Sequence, residues 1–427
     1  MLLVYTHKIT PRISYTFKHI FTRMLGLPVS FTSKVEEVVA HEGPKISYTQ
    51  KQLGNELHFK STDLLFEQGI TDASIKVSDW NGVPCFFQVG EMSAMPYDIF
   101  AATFYLLSRY EEYLPHVKDE LGRYPASESL ALQNHFLHRP VVDIWVQRLE
   151  YLFKRHFKDF VIPERLFREK VLVKVPQAYA FRKLGLLRTL GGFFSDFFNF
   201  RLRRNFDRLQ VLLGARKDPY DSFTWFINIQ KQTTTKIQFF FELGDFSEES
   251  RNVKHSKSTF QSLIKMVADY SKVGLMISKG AVQSLPMLKV ERRRLEDIVN
   301  RSLDQVAITH NLIHLPETYR NCIDQEIVED YSMHYATHSG FRAGTCSPFL
   351  FYDLDYEIQT PLILYPTCSE DRLLVDERRG TIDMVTIRSL YQEAKAVNGY
   401  FIIGFTNTSV IYPKGKELLK TIVLRDA

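Results

Sequence analysis

Cysteine is scarce in this chain of 427 residues: Cys85, Cys322, Cys346 and Cys368 lie far apart, with no CxxC pair. That spacing argues against a zinc ribbon or a disulfide framework, and free thiols fit a reducing compartment. Long hydrophobic runs are also missing. No stretch approaches the roughly 20 apolar residues that a membrane span needs, and the opening MLLVYTHKITPR places its apolar residues before the first basic one, the reverse of a secretory signal. The expected location is the cytoplasm, or the inner face of a membrane. Charge of one sign does not dominate, because 54 Lys and Arg against 49 Asp and Glu leave a formal net +5, too little by itself to argue for nucleic acid. Neither a GxGxxG turn after a strand nor GxxxxGK is present, so a nucleotide-binding fold loses its best support.

What is present is ordinary globular composition, 45% hydrophobic and 24% charged, with length for two cores. Residues 1–165 read as a mixed α/β domain. Thr10 and Pro11 start a helix that should stop at Gly26, and strand-like runs cover Leu2 to Tyr5, Val29 to Thr32 and Lys45 to Thr49. Helices are expected over about 97–114 and 141–157. Within the first of these, Glu111 and Glu112 are adjacent carboxylates that point about 100° apart on a helix, so a solvated or Arg-paired face is favoured over acid/base work. Residues 166–427 change rhythm. Strand-like runs at 171–175, 236–243, 273–278, 305–310, 360–366 and 399–407 alternate with helical segments, the pattern of parallel strands with crossover helices, here a β/α barrel.

In such a barrel the working residues stand at the carboxyl ends of strands: Lys174, Glu242, Met276, His310, Arg342 and Thr406. Only Glu242 and His310 among them are natural metal donors or bases. The stretch GFRAGTCSPFLFYDLD, residues 340–355, sets Arg342 in a turn between glycines, where its guanidinium would hold a carboxylate or oxyanion, or pair with Asp353 or Asp355. Cys346, in the same turn, is expected to be a buried structural thiol.

The segments MLLVYTHKITPRISYTFKHIFTRMLGLPVSFT, DLLFEQGI, FYLLSRYEEYLPH, VPQAYAF, LPETYRN and GFRAGTCSPFLFYDLDYEIQTPL resemble a two-domain group of polysaccharide deacetylase-like proteins known mainly from Bacteroidetes. The resemblance implies an amino-terminal α/β domain of unknown role and a distorted β/α barrel of the nodulation-protein-B type. It further implies hydrolysis of acetyl groups on sugars, with an Asp and two His holding a divalent metal such as zinc and a second Asp as base. Residue by residue, that pattern breaks. Lys174 stands at the leading Asp position, Met276 at a histidine position and Thr406 at another, while Arg342 matches the family's Arg motif. The expectation is a pseudoenzyme without its metal, still able to hold an acetylated or anionic glycan through Arg342 and Lys174. Two alternatives stand beside it: an active deacetylase using Glu242, Asp245 and His310, and a scaffold for a protein partner.

One further segment, residues 193–217, mixes Phe194, Phe197, Phe198, Phe200 and Phe206 with Arg201, Arg203, Arg204 and Arg208. A helix of this composition suits an anionic membrane surface. It also suits single-stranded nucleic acid, although a helix whose rings face the barrel is the favoured reading.

Overall fold

Short runs rich in apolar and β-branched residues set the first strands. In the computed structural model, which describes residues 1–72, 74–157, 161–247 and 250–424, Leu2–Tyr5 (β1), Val29–Thr32 (β2), Lys45–Thr49 (β3) and Leu57–Lys60 (β4) pair in parallel in the order β2-β1-β3-β4. Ser78–Trp80 (β5) and Val83–Cys85 (β6) form a hairpin whose turn residues, Asn81 and Gly82, both have positive φ. Thr10 caps helix Pro11–Phe17 by accepting from the Ile13 amide, with Pro11 in the first turn; a wider turn continues through Met24, and Gly26 ends it in the left-handed region.

The carboxyl-terminal half is built on Arg168–Val175 (β7), Lys236–Glu242 (β8), Lys272–Ile277 (β9), Gln305–Ile308 (β10), Glu329–Met333 (β11), Phe349–Asp353 (β12), Ile358–Pro366 (β13) and Ser369–Glu370 (β14). A small pair follows, Val375–Asp376 (β15) with Thr381–Ile382 (β16), and then Tyr400–Thr406 (β17). Nine of these strands form one curled sheet in the order β12-β13-β11-β10-β9-β8-β7-β17-β14. Every neighbouring pair in it is parallel except β12 with β13. This is the expected α/β class with crossover helices, and the curled sheet stays open between β12 and β14.

Strand periodicity gives the sheet two different faces. Val171, Val173 and Val175 belong to the main core with helix residues such as Phe226, Ile264 and Leu288. Between them, Leu172, Phe240, Met276, Ala307, Tyr331 and Ile402, one from each of six strands, make a separate apolar layer on the concave face. Lys174 and Glu242 come two residues after Leu172 and Phe240, so they share that face, one layer nearer the carboxyl ends. The main core is continuous across both halves of the chain. The Tyr352 ring on β12 lies 4.9 Å from Tyr15 and 5.1 Å from Phe104, and Tyr15 Oη donates to the Leu350 carbonyl at 2.7 Å.

Candidate functional site

The carboxyl ends of four strands converge on a buried polar cluster. Lys174 Nζ on β7 donates to Glu370 Oε1 on β14 at 2.6 Å and to Asn311 Oδ1, just past β10, at 3.3 Å. His334, the residue after β11, places Nε2 3.0 Å from the same Glu370 oxygen. Arg372 Nε donates to Glu370 Oε2 at 2.6 Å from the solvent side. His310 and Asn311 both adopt left-handed backbone, an uncommon conformation that two adjacent non-glycine residues hold only where their surroundings enforce it.

The charges in this cluster lean on one another. Burial works to raise the Glu370 pKa, yet Lys174, His334 and Arg372 hold it well below the usual carboxylate range. Burial lowers His334 to about 4, against the opposing pull of Glu370, so the ring is neutral at pH 7. Partial burial, then Arg372, Arg123 and Lys174, push His310 below its ordinary value. Beside the cluster runs a groove of about 840 Å³ lined by Thr406, Asp371, Arg372, Arg378, Tyr412 and Tyr220 among others. Burial raises Asp371 to about 6, and its carboxylate accepts from the Thr406 amide at 2.8 Å.

The divalent metal implied by the resemblance does not fit this donor set. A metal at Glu370 and His334 would face the Lys174 ammonium, which already neutralises Glu370. Among the described residues, no group of three or more His, Cys, Asp or Glu side chains is placed to hold a metal ion. Of the positions that the resemblance marks as altered, Lys174 lies in the buried cluster and Thr406 lines the groove beside it. Met276 instead lies in the apolar layer below the cluster.

Glu242, Asp245 and His310 each have partners of their own. Glu242 is bonded by the Ser250 hydroxyl, Asp245 is exposed and paired with Arg294 at 3.0 Å, and His310 neighbours Arg372. Burial raises Glu242 to about 7, with nearby Glu291 adding to the effect and Ser250 opposing it. Since the unfolded carboxyl has released its proton above pH 4.5, the wild type loses stability as pH rises from 4.5 to 7. Glu242→Gln escapes that loss. Its stability relative to wild type should grow by about 3 kcal/mol across this window and level off above it. Urea unfolding at a series of pH values checks this, and a pH-independent difference would refute it.

Arg342 has neither of the expected partners. Its Nε and Nη2 fork onto Glu112 at 2.9 and 2.6 Å, Nη1 donates to the His334 carbonyl at 3.2 Å, and Tyr335 lies beneath the guanidinium. Arg320 takes Asp353 and Asp355 instead. Glu112 also pairs with Arg109 at 2.7 Å, and Arg109 reaches Glu111 and the Tyr335 hydroxyl. The whole stretch from 340 to 353 is the seam between the two halves. Gly340 and Gly344 have positive φ, and a Cβ on either would lie 2.5 Å from the Leu137 carbonyl or 2.6 Å from Leu106, which explains glycine at both positions. Asp143, completely buried, accepts from Thr345 Oγ1, the Cys346 amide, Ser347 Oγ and Arg165. The Cys346 thiol is buried and pushed well up by burial, which makes it a poor nucleophile.

Four members of the cluster, Glu370, His334, Asn311 and Arg372, are not among the sequence candidates. Glu370 sits on a strand of only two residues, and β11 reads EDYSM, whose polar residues hide its strand character. The signal available was position alone: His334 directly follows a run that alternates toward the apolar layer through Tyr331. At the opposite, amino-terminal ends of the strands lies a larger cavity of about 1220 Å³. There Lys170 Nζ donates to the Tyr331 hydroxyl and lies 4.6 Å from both the Tyr331 and Tyr365 ring centres. In β/α barrels that end supports the fold and the carboxyl ends carry the chemistry.

Residues 2–158 match a family of unknown function, DUF7033. No curated protein is similar to this chain in sequence. Among solved structures, a CE4-family pseudoenzyme from Bacillus anthracis is 11% identical, with 60% of this chain and 59% of that one aligned and a TM-score of 0.30. The chain thus spans about three fifths of that protein's length. A candidate polysaccharide deacetylase from Mycobacterium smegmatis is 10% identical over 62% of this chain and 86% of that one, with a TM-score of 0.40. A polysaccharide deacetylase from Bacillus cereus is 10% identical over 62% and 88%, with a TM-score of 0.30.

Proposed function

We propose that this protein is a deacetylase-like pseudoenzyme that holds a glycan without hydrolysing it. The observation that carries the reading is the Lys174 ammonium at 2.6 Å from Glu370 Oε1. It supplies internally the positive charge that a metal would otherwise bring to Glu370 and His334. Lys174 and Arg372 crowd Glu370 with positive charge where metal-assisted hydrolysis would need a divalent cation to polarise an acetyl carbonyl. Lys174 and Arg342 are buried against internal carboxylates, whereas Arg372, although its Nε also pairs with Glu370, stays half-exposed; it, Arg378 and the Tyr412 ring are the contacts offered to an acetylated or anionic sugar in the adjoining groove. The scaffold reading differs in leaving that groove without a glycan.

Metal analysis of the purified protein is expected to find substoichiometric zinc, cobalt and nickel, and assays on acetylated sugars to find no turnover. Stoichiometric metal, removed by chelator together with esterase activity, would overturn the proposal. Titration with acetylated chito-oligosaccharides should show binding that Arg372→Ala weakens by about tenfold, equivalent to roughly 1.4 kcal/mol. Absence of glycan binding, together with capture of a specific protein partner at this groove, would favour the scaffold.

A further inference from the structure

The segment between β7 and β8 folds as two short helices, Leu186–Phe198 and Leu202–Leu212, and it is turned inside out. The favoured reading of the sequence packed its phenylalanines against the barrel, yet Leu187, Phe194, Phe197, Phe198, Phe200 and Phe206 are between 60% and 90% exposed. Five of the six exposed phenylalanines among the described residues lie here. The inward side is polar: Asp196 is the only buried residue of the first helix, and only Arg208 and Val211 are buried in the second. Asp196 and Arg208 form an ion pair between the helices, and Arg208 also donates to the Thr189 carbonyl and lies against the Phe181 and Phe193 rings. A helix pair in water normally buries its apolar stripe. This one buries its charges and presents its rings.

The same segment is strongly basic. Residues 182–217 contain nine Lys and Arg against two Asp, so this stretch alone is more positive than the +5 of the whole chain. Both aspartates are paired internally, Asp196 with Arg208 and Asp207 with Arg216. Arg201 and Arg203, beside the turn at Phe200, make no ion pair with any described residue. Apolar rings flanked by free guanidiniums match the acyl boundary and phosphates of an anionic bilayer. At 13 and 11 residues the helices are too short to cross a membrane, for which roughly 20 are needed, and no helix among the described residues is long and apolar enough to do so. Charge disfavours a second copy of the chain as occupant, since two such basic faces repel. The excess of aliphatic and ring surface over charge disfavours nucleic acid.

We infer that the helical hairpin 186–212 lays its apolar face in the surface of an anionic lipid bilayer and tethers the protein there. The experiment is flotation of the full chain with vesicles of phosphatidylcholine alone and of phosphatidylcholine with about a third phosphatidylglycerol. The expected result is recovery with the anionic vesicles and little with the neutral ones. Arg201→Glu with Arg203→Glu should reduce anionic-vesicle binding by about tenfold or more. Phe197→Ser with Phe198→Ser and Phe200→Ser should abolish it. These positions are exposed, so unchanged circular dichroism is expected of each variant and confirms that folding is not the cause. Failure of the wild type to float with anionic vesicles overturns the inference. So would a dimer in light scattering, dispersed by the serine substitutions without any flotation, or retention on single-stranded nucleic acid in place of vesicles.

Discussion

Arg342→Ala lowers unfolding stability by about 3–5 kcal/mol, the range for removing one partner of a buried pair. The size follows from what remains: Glu112, buried and charged, keeps Arg109 alone where it had two guanidiniums. Arg342→Ala also frees the His334 carbonyl and leaves space over Tyr335. Replacing Glu112 by Gln should cost a comparable amount, and the double variant should cost clearly less than the two together, because each single change strands a charge and the pair does not. Urea unfolding of the four proteins measures the coupling. Additive losses would mean that the pair contributes no interaction across the seam. Since Arg342 is spent on Glu112, loss of glycan binding in this variant would report unfolding and carries no information about the groove.

Lys174→Met is expected to cost about 3 kcal/mol, the lower end of the same range, since Arg372 and His334 still face Glu370. A second readout separates this from simple loss of packing. Lys174 is among the groups that lower His334, so its removal should move the His334 titration upward from about 4 toward its ordinary value. Glu370 should move the same way, up toward 4.5, because it loses its largest charge partner. A folded carboxylate with a depressed pKa contributes stability above its unfolded value and loses it as pH falls through the folded one. In Lys174→Met that acid-labile contribution shrinks. Proton NMR titration of the His334 ring decides the matter, and an unmoved His334 would show that Lys174 does not act on the cluster.

Much of the fold was legible because a short apolar run is a local signal. Six strands of the large sheet fall where strand-like runs place them, whereas β11, β12 and β14 are not marked by such a run. β11 carries Glu329, Asp330 and Ser332, β12 lies inside the Arg342 motif, and β14 has two residues, too few for any period. The cluster was half legible. Lys174 and His310 stand at strand ends readable from the sequence, but the bond from Lys174 to Glu370 joins residues 196 positions apart. Arg342 was misread for the same reason, since Glu112 lies 230 positions away and nothing nearby announces it. The aromatic segment shows a different limit: periodicity reveals that one side of a helix is apolar, and does not say whether that side faces protein or something else.

The open ends of the large sheet give the amino-terminal half a protective task. β12 is an edge strand, and an edge of free carbonyls and amides invites pairing with another chain. Here helix Ile99–Leu107 lies against it, and Tyr15 occupies the Leu350 carbonyl. Released from that cover, the carboxyl-terminal half would offer Phe349–Asp353 as a template for strand addition, so its solubility depends on the residues that precede it in the chain.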